Sequence, residues 1–89
     1  MSGEWVLYIL SCADGTFYTG ITNDLSARLQ KHKDGTGAKY TKGRGPFQIV
    51  YREQQDSRST ALKRELAVKA LSRTAKQALI QQQACVESA

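Results

Sequence analysis

Several side chains able to handle protons or phosphates recur along this 89-residue chain: the phenols Tyr8 and Tyr18, the guanidinium Arg28, the lone imidazole His32, and a basic stretch, KDGTGAKYTKGRGP, from Lys33 to Pro46. In that stretch Lys39, Lys42 and Arg44 can meet phosphate oxygens alongside backbone N–H groups while Tyr40 stacks on a base, which makes it a candidate nucleic-acid contact. A solvated loop of mixed composition accounts for the same residues equally well. His32 has no partner at metal-ligand spacing, so hydrogen bonding or proton transfer suits it better than ligation. Arg28 and His32, four residues apart, share one edge of a helix, where packed stems and solvated heads are the plain alternative. Taken alone, Glu65 reads as a helix-surface acid paired with Lys69 one turn on.

The elements that must position these groups follow from periodicity and turn chemistry. Val6 to Leu10 is apolar on both alternating faces, as expected of a central strand covered on two sides. Phe17 to Ile21 forms a second strand, and Phe47 to Glu53, after Pro46, a third. Between the last two, TNDLSARLQKHKDG reads as a helix capped by Thr22 or Asn23, with Leu25 and Leu29 one turn apart and Gly35 ending it. STALKRELAVKAL predicts a second helix, with Ser59 as N-cap and Leu62, Leu66 and Ala70 on one face. A third restarts at Ser72 with Ala75 and Leu79 spaced for burial. The order β-β-α-β-α-α predicts an α+β fold, a small three-stranded mixed or antiparallel sheet flanked by helices. Residues 1–83 read as one domain and 84–89 as a tail that frays.

Loop length decides whether the two tyrosines can cooperate. If Asp14-Gly15 is a two-residue turn, Tyr8 and Tyr18 point to opposite faces. If Ala13-Asp14-Gly15 is a three-residue loop with Gly15 left-handed, Cys12 pairs with Thr16, Leu10 with Tyr18 and Tyr8 with Gly20, and the phenols share a face. The glycine then leaves space beside the Tyr8 ring for a ligand or another backbone.

Thirteen Lys and Arg against eight Asp and Glu give a formal charge of +5, which favours a polyanionic partner such as nucleic acid. Cys12 and Cys85 are far apart and fit neither a disulfide framework nor a zinc site. With no basic signal region and no long apolar run, the expected location is the cytoplasm, without a membrane partner.

Read in order, a tyrosine in strand one (VLY, Val6 to Tyr8), YTG in strand two (Tyr18 to Gly20), R-x-x-x-H on the next helix and a glutamate on the one after resemble the GIY-YIG endonuclease domain. The resemblance runs from about Trp5 to Ile80 and is closest to the small stand-alone bacterial members, whose CADGTFYTGITNDLSARLQKH, GAKYTKGRGP and SRSTALKRE blocks look very similar. It implies a nuclease that cuts nucleic-acid backbone with one divalent metal, Mg²⁺ or Mn²⁺, and no other cofactor. Tyr8 and Tyr18 match the motif tyrosines, Arg28 the arginine, His32 the histidine or tyrosine one turn later, and Glu65 the metal-binding glutamate. Larger repair members carry a lysine directly after the second motif, where this chain has Ile21, and a later asparagine near whose place stands Gln77.

Phosphodiester hydrolysis suits these residue types. One carboxylate is enough for Mg²⁺, which keeps several waters and completes its shell with phosphate oxygens. Arg28 would neutralise charge on the phosphoryl oxygens, Tyr18 would help deprotonate the attacking water, and Tyr8 and His32 would orient it or relay protons. The expected role is DNA repair, recombination or processing, with DNA favoured over RNA. The alternative is a nucleic-acid-binding module that keeps the scaffold and the basic loop without cleavage.

Overall fold

The structure, a computed structural model, describes residues 5–35, 43 and 45–88, the stretch 84–88 by backbone alone. Three strands, β1 (Trp5–Ser11), β2 (Phe17–Thr22) and β3 (Gln48–Gln55), form one antiparallel sheet in the order β2-β1-β3. Helix α1 (Leu25–Asp34) lies between β2 and β3 in the chain, and α2 (Arg58–Lys69) and α3 (Arg73–Ser88) follow. The fold is thus α+β in the expected order, with β1 central.

That central place explains the sequence of β1. Leu7, Tyr8, Ile9 and Leu10 are all buried because side chains on both faces of the strand are covered. Leu7 and Ile9 join Tyr51 and Val68 in the hydrophobic core, with Phe17, Ile21, Val50, Leu71, Leu79 and Ile80 packed around them. Tyr8 and Leu10 point the other way. The pairing of β1 with β3 shifts between Ile9 and Leu10, a bulge that changes register across the strand.

Helix α2 departs from its sequence pattern. Its N-cap is Ser57, whose hydroxyl accepts from Thr60 N in a capping box, so the helix begins before the expected Ser59. Its buried residues are Ala61 and Val68, whereas Leu62 is 38% and Leu66 70% exposed. The small Ala61 lets the helix backbone approach the sheet, which rotates the leucines outward. Arg64 fixes that rotation by donating from Nε to Glu53 Oε1 on β3 at 2.9 Å. In α3, Ser72 accepts from Ala75 N as a cap and Ala75 and Leu79 are partly buried, as their spacing predicts. The helix continues through Ala84, where the apolar periodicity stops, to Ser88. Near that end Gln83 accepts from Arg52 N at 3.1 Å and donates to Arg52 O at 2.5 Å, occupying part of the outer edge of β3.

Candidate functional site

The hairpin between β1 and β2 builds the site. Gly15 adopts a left-handed conformation with φ of 85°, Cys12 N donates to Thr16 O at 2.9 Å, and Gly15 N donates to Cys12 O at 3.0 Å. Asp14 Oδ1 accepts from Thr16 N and Oγ1 and braces the loop. The three-residue loop is therefore the one formed. It sets Leu10 opposite Tyr18 and Tyr8 opposite Gly20, so both phenols lie on one sheet face. Their ring centroids are 6.4 Å apart.

Helix α1 lays its basic edge on that face. Asp24 caps the helix by accepting from Ala27 N, one or two residues later than the expected Thr22 or Asn23, while Thr22 Oγ1 accepts from Asp24 N and shapes the entry. The left-handed Gly35 closes the other end, as expected. This placement buries His32 to 1% exposure, deeper than Leu25 or Leu29 on the same helix. Solvated heads with packed stems do not describe it.

Tyr8 Oη and His32 Nε2 are 2.9 Å apart, and Arg28 Nε donates to Tyr8 Oη at 3.4 Å. Arg28 also hydrogen-bonds Tyr18, and these bonds hold the guanidinium more firmly protonated than usual, the one to Tyr8 most. The His32 ring lies edge-on to Tyr18, centroids 5.2 Å apart, and against Phe47 at 6.0 Å. Phe47 escaped the sequence reading. Its only signal was its place directly after Pro46, at the start of the expected third strand, although β3 itself begins one residue later at Gln48.

Burial and charge set the protonation of the cluster. Desolvation raises the Tyr8 pKa above 10.0, opposed by the Arg28 hydrogen bond and reinforced by the charges of Tyr18 and Glu65. Burial, and next the Arg28 cation, lower the His32 pKa below 6.5. Tyr8 is thus a neutral phenol and His32 a neutral imidazole at pH 7. Tyr8 Oη accepts from Arg28 Nε and shares one further hydrogen bond with His32 Nε2, whose direction is set by the imidazole tautomer.

Tyr8, Tyr18, Arg28 and His32 are therefore in one hydrogen-bonded and ring-packed cluster, and Glu65 on α2 is near enough for its charge to disfavour ionisation of Tyr8. The Glu65 side chain is 16% exposed and pairs with Lys69 Nζ at 3.5 Å, the i,i+4 contact its spacing predicts. Among the described residues no three His, Cys, Asp or Glu gather around a point. Among these residues the one carboxylate whose charge reaches Tyr8 is that of Glu65. A single carboxylate fits Mg²⁺, which is held through one or two carboxylates plus waters and substrate phosphates, and does not fit a closed zinc site.

Ile21 packs at the margin of the Leu7–Ile9 core, because strand alternation turns it away from the face of Gly20. Gln77 lines a groove with Phe17, Val50 and Ile80 on that opposite side. Neither joins the tyrosine cluster. Lys39, Tyr40, Lys42 and Arg44 lie outside the described residues. No helix among the described residues is long and apolar enough to cross a membrane.

Residues 4–78 match the model of the GIY-YIG catalytic domain. A UPF0213 protein of Natronomonas pharaonis is 46% identical over 80 residues, covering 90% of this chain and 94% of its own. One from Staphylococcus saprophyticus is 51% identical over 74 residues, covering 83% and 90%. The solution structure of a UPF0213 protein from Bacillus halodurans superposes with a TM-score of 0.59 at 46% identity, over 89% of this chain and 84% of that one. A protein of E. faecalis gives 0.63 at 37% identity, over 92% and 90%. With its motif tyrosines on one sheet face and a family match along most of its length, this chain belongs to the GIY-YIG family, whose catalytic domain implies nuclease-type cleavage of nucleic acid.

Proposed function

We propose that this chain is a divalent-metal-dependent endonuclease acting on DNA in preference to RNA, in repair, recombination or processing. The observation that carries the reading is the buried hydrogen bond between Tyr8 Oη and His32 Nε2, tied through Arg28 to Tyr18. A purely structural core has no need of two phenols, an imidazole and a guanidinium in contact, because each polar atom must be desolvated and then satisfied.

Arg28 binds the scissile phosphate and neutralises the charge that grows on its oxygens. Tyr18, acting as a phenolate beside the Arg28 cation, takes the proton of the attacking water and becomes a neutral phenol. Tyr8 and His32, hydrogen-bonded through Oη and Nε2, orient that arrangement and can relay a proton between them. Glu65 would hold the metal, which when bound supplies Lewis-acid stabilisation of the leaving oxygen. The basic residues Lys39, Lys42 and Arg44, with Tyr40, would add backbone contacts and stacking.

A binding module without cleavage is the second reading. It is favoured by the Glu65 to Lys69 ion pair, which already engages the one carboxylate. Glu65→Gln separates the two, since it removes the charge that attracts a hard cation while changing size and helix propensity little. Wild type and variant are incubated with branched, single-stranded and supercoiled DNA and with RNA, in Mg²⁺, Mn²⁺ or EDTA. Metal-dependent cutting by the wild type alone supports the nuclease. Equal binding with no cutting by either transfers the reading to the module, and cutting by both removes Glu65 as the ligand.

A further inference from the structure

At the corner where β2 passes into α1, a hollow of about 280 Å³ opens among Trp5, Ile21, Asn23, Asp24, Arg28 and Lys31. Backbone geometry makes it. The last pair of the β1–β2 ladder is Val6 with Thr22, so Trp5 projects beyond the end of β2 just where the chain turns away. The turn is held open by Thr22 Oγ1, which accepts from Asp24 N at 3.0 Å, and by Asp24 Oδ1, which accepts from Ala27 N at 3.1 Å. The chain therefore leaves the sheet with the indole only partly covered.

The lining combines three chemistries. Trp5 and Ile21 supply an aromatic face and an apolar floor, Asn23 an amide able to donate and accept, and Arg28 and Lys31, one helical turn apart, two cations on the same side of α1. An aromatic face suits a nucleobase, an amide suits base edges, and cations suit the flanking phosphates. The Asp24 carboxylate, engaged by Ala27 N, disfavours a phosphate at its own end and so orients a nucleotide with its phosphates toward Arg28 and Lys31.

Arg28 joins this hollow to the tyrosine cluster. It lines the hollow and also donates from Nε to Tyr8 Oη. We propose that the hollow at the β2–α1 corner is a nucleotide subsite, in which Trp5 stacks on the base next to the phosphate held by Arg28 and Lys31 contacts the following phosphate. The location rests on the nuclease reading, which puts the scissile phosphate at Arg28. An indole can stack in this way only on a base that has left its duplex stack, so the preferred substrate is unpaired beside the cut.

Trp5 is the single tryptophan of the chain, so its emission reports directly on the hollow. The wild type is titrated in EDTA with a short single-stranded thymidine oligonucleotide, with an abasic oligomer carrying the same number of phosphates, and with a blunt duplex. Stacking energies predict that the base-containing strand quenches Trp5 and binds about tenfold more tightly than the abasic one, which leaves the emission unchanged. Lys31→Ala, read by anisotropy of a labelled strand, weakens both single strands and lowers the salt slope by about 0.7 for one lost phosphate contact. Trp5→Phe keeps part of the base preference and Trp5→Leu loses it, with circular dichroism confirming that both fold. Equal affinity for the base-containing and abasic strands, or quenching by the duplex to the same extent, overturns the subsite. Because the titration needs no metal, quenching without cleavage in Mg²⁺ keeps the subsite and removes the nuclease, whereas cleavage without quenching does the reverse.

Discussion

Tyr8 on β1 and Gly20 on β2 face each other across the antiparallel pair, and the phenol occupies the volume that a side chain at position 20 would take. A Cβ there would lie 2.6 Å from Tyr8 Oη and 2.8 Å from Cζ, with Tyr18 Cε2 at 3.1 Å. The glycine gap is thus filled by the tyrosine itself, which gives the Tyr8 oxygen its path to His32. Gly20→Ala should push the ring aside and break that bond, costing about 1–3 kcal/mol as overpacking does. Chemical denaturation measures the loss. An unchanged midpoint would show that the ring can move freely.

Tyr8→Phe removes the hydroxyl and leaves His32 Nε2 buried without this partner, at a cost of about 1–3 kcal/mol. His32→Phe does the same to Tyr8. The double variant should be less destabilised than the sum of the singles by about 0.5–3 kcal/mol, because the second substitution removes an atom that has already lost this bond. Strict additivity in a double-mutant cycle would mean the 2.9 Å contact carries no energy.

Acid should weaken the fold through His32. Its pKa is lowered below 6.5 in the folded state, so just below that value the unfolded chain binds the proton and the folded chain does not. The contribution is complete above pH 6.5 and is lost as the pH falls toward the lower folded-state value. Urea midpoints at pH 7 and 5.5 should therefore drop further for the wild type than for His32→Asn. Parallel drops would place the titration elsewhere.

Thr19 lies on the opposite face, beside Ile9, with Oγ1 buried and unpaired among the described residues. Thr19→Val replaces the desolvated hydroxyl by a methyl and should stabilise the protein by about 1 kcal/mol. Tyr8 and His32 face away from the change, so nucleic-acid binding should be unaltered. A lower melting temperature would indicate that the hydroxyl has a partner in solution.

Much of this architecture was legible along the chain. The two-sided apolar run Val6 to Leu10 required a covered central strand, and Gly35 and Pro46 marked boundaries that hold. The motif tyrosines, Arg28, His32 and Glu65 were picked out in order by the resemblance. What stayed open was which face each group would take. The Asp14-Gly15 pair allowed a two- or a three-residue loop, and only the long-range ladder, with Cys12 on Thr16, selected the register that brings Tyr8 and Tyr18 together. Periodicity also offered two stripes on α2 and favoured the bulkier leucines. The sheet chose Ala61 and Val68, since close approach of a helix backbone depends on the size of what already lies beneath it. Burial of His32 was decided in the same way, by the meeting of α1 with Tyr8 on β1 and with Phe47 just ahead of β3, far apart in sequence. Local sequence sets hydrogen-bond period and turn chemistry, whereas the side of an element that loses water depends on partners the local segment does not contain.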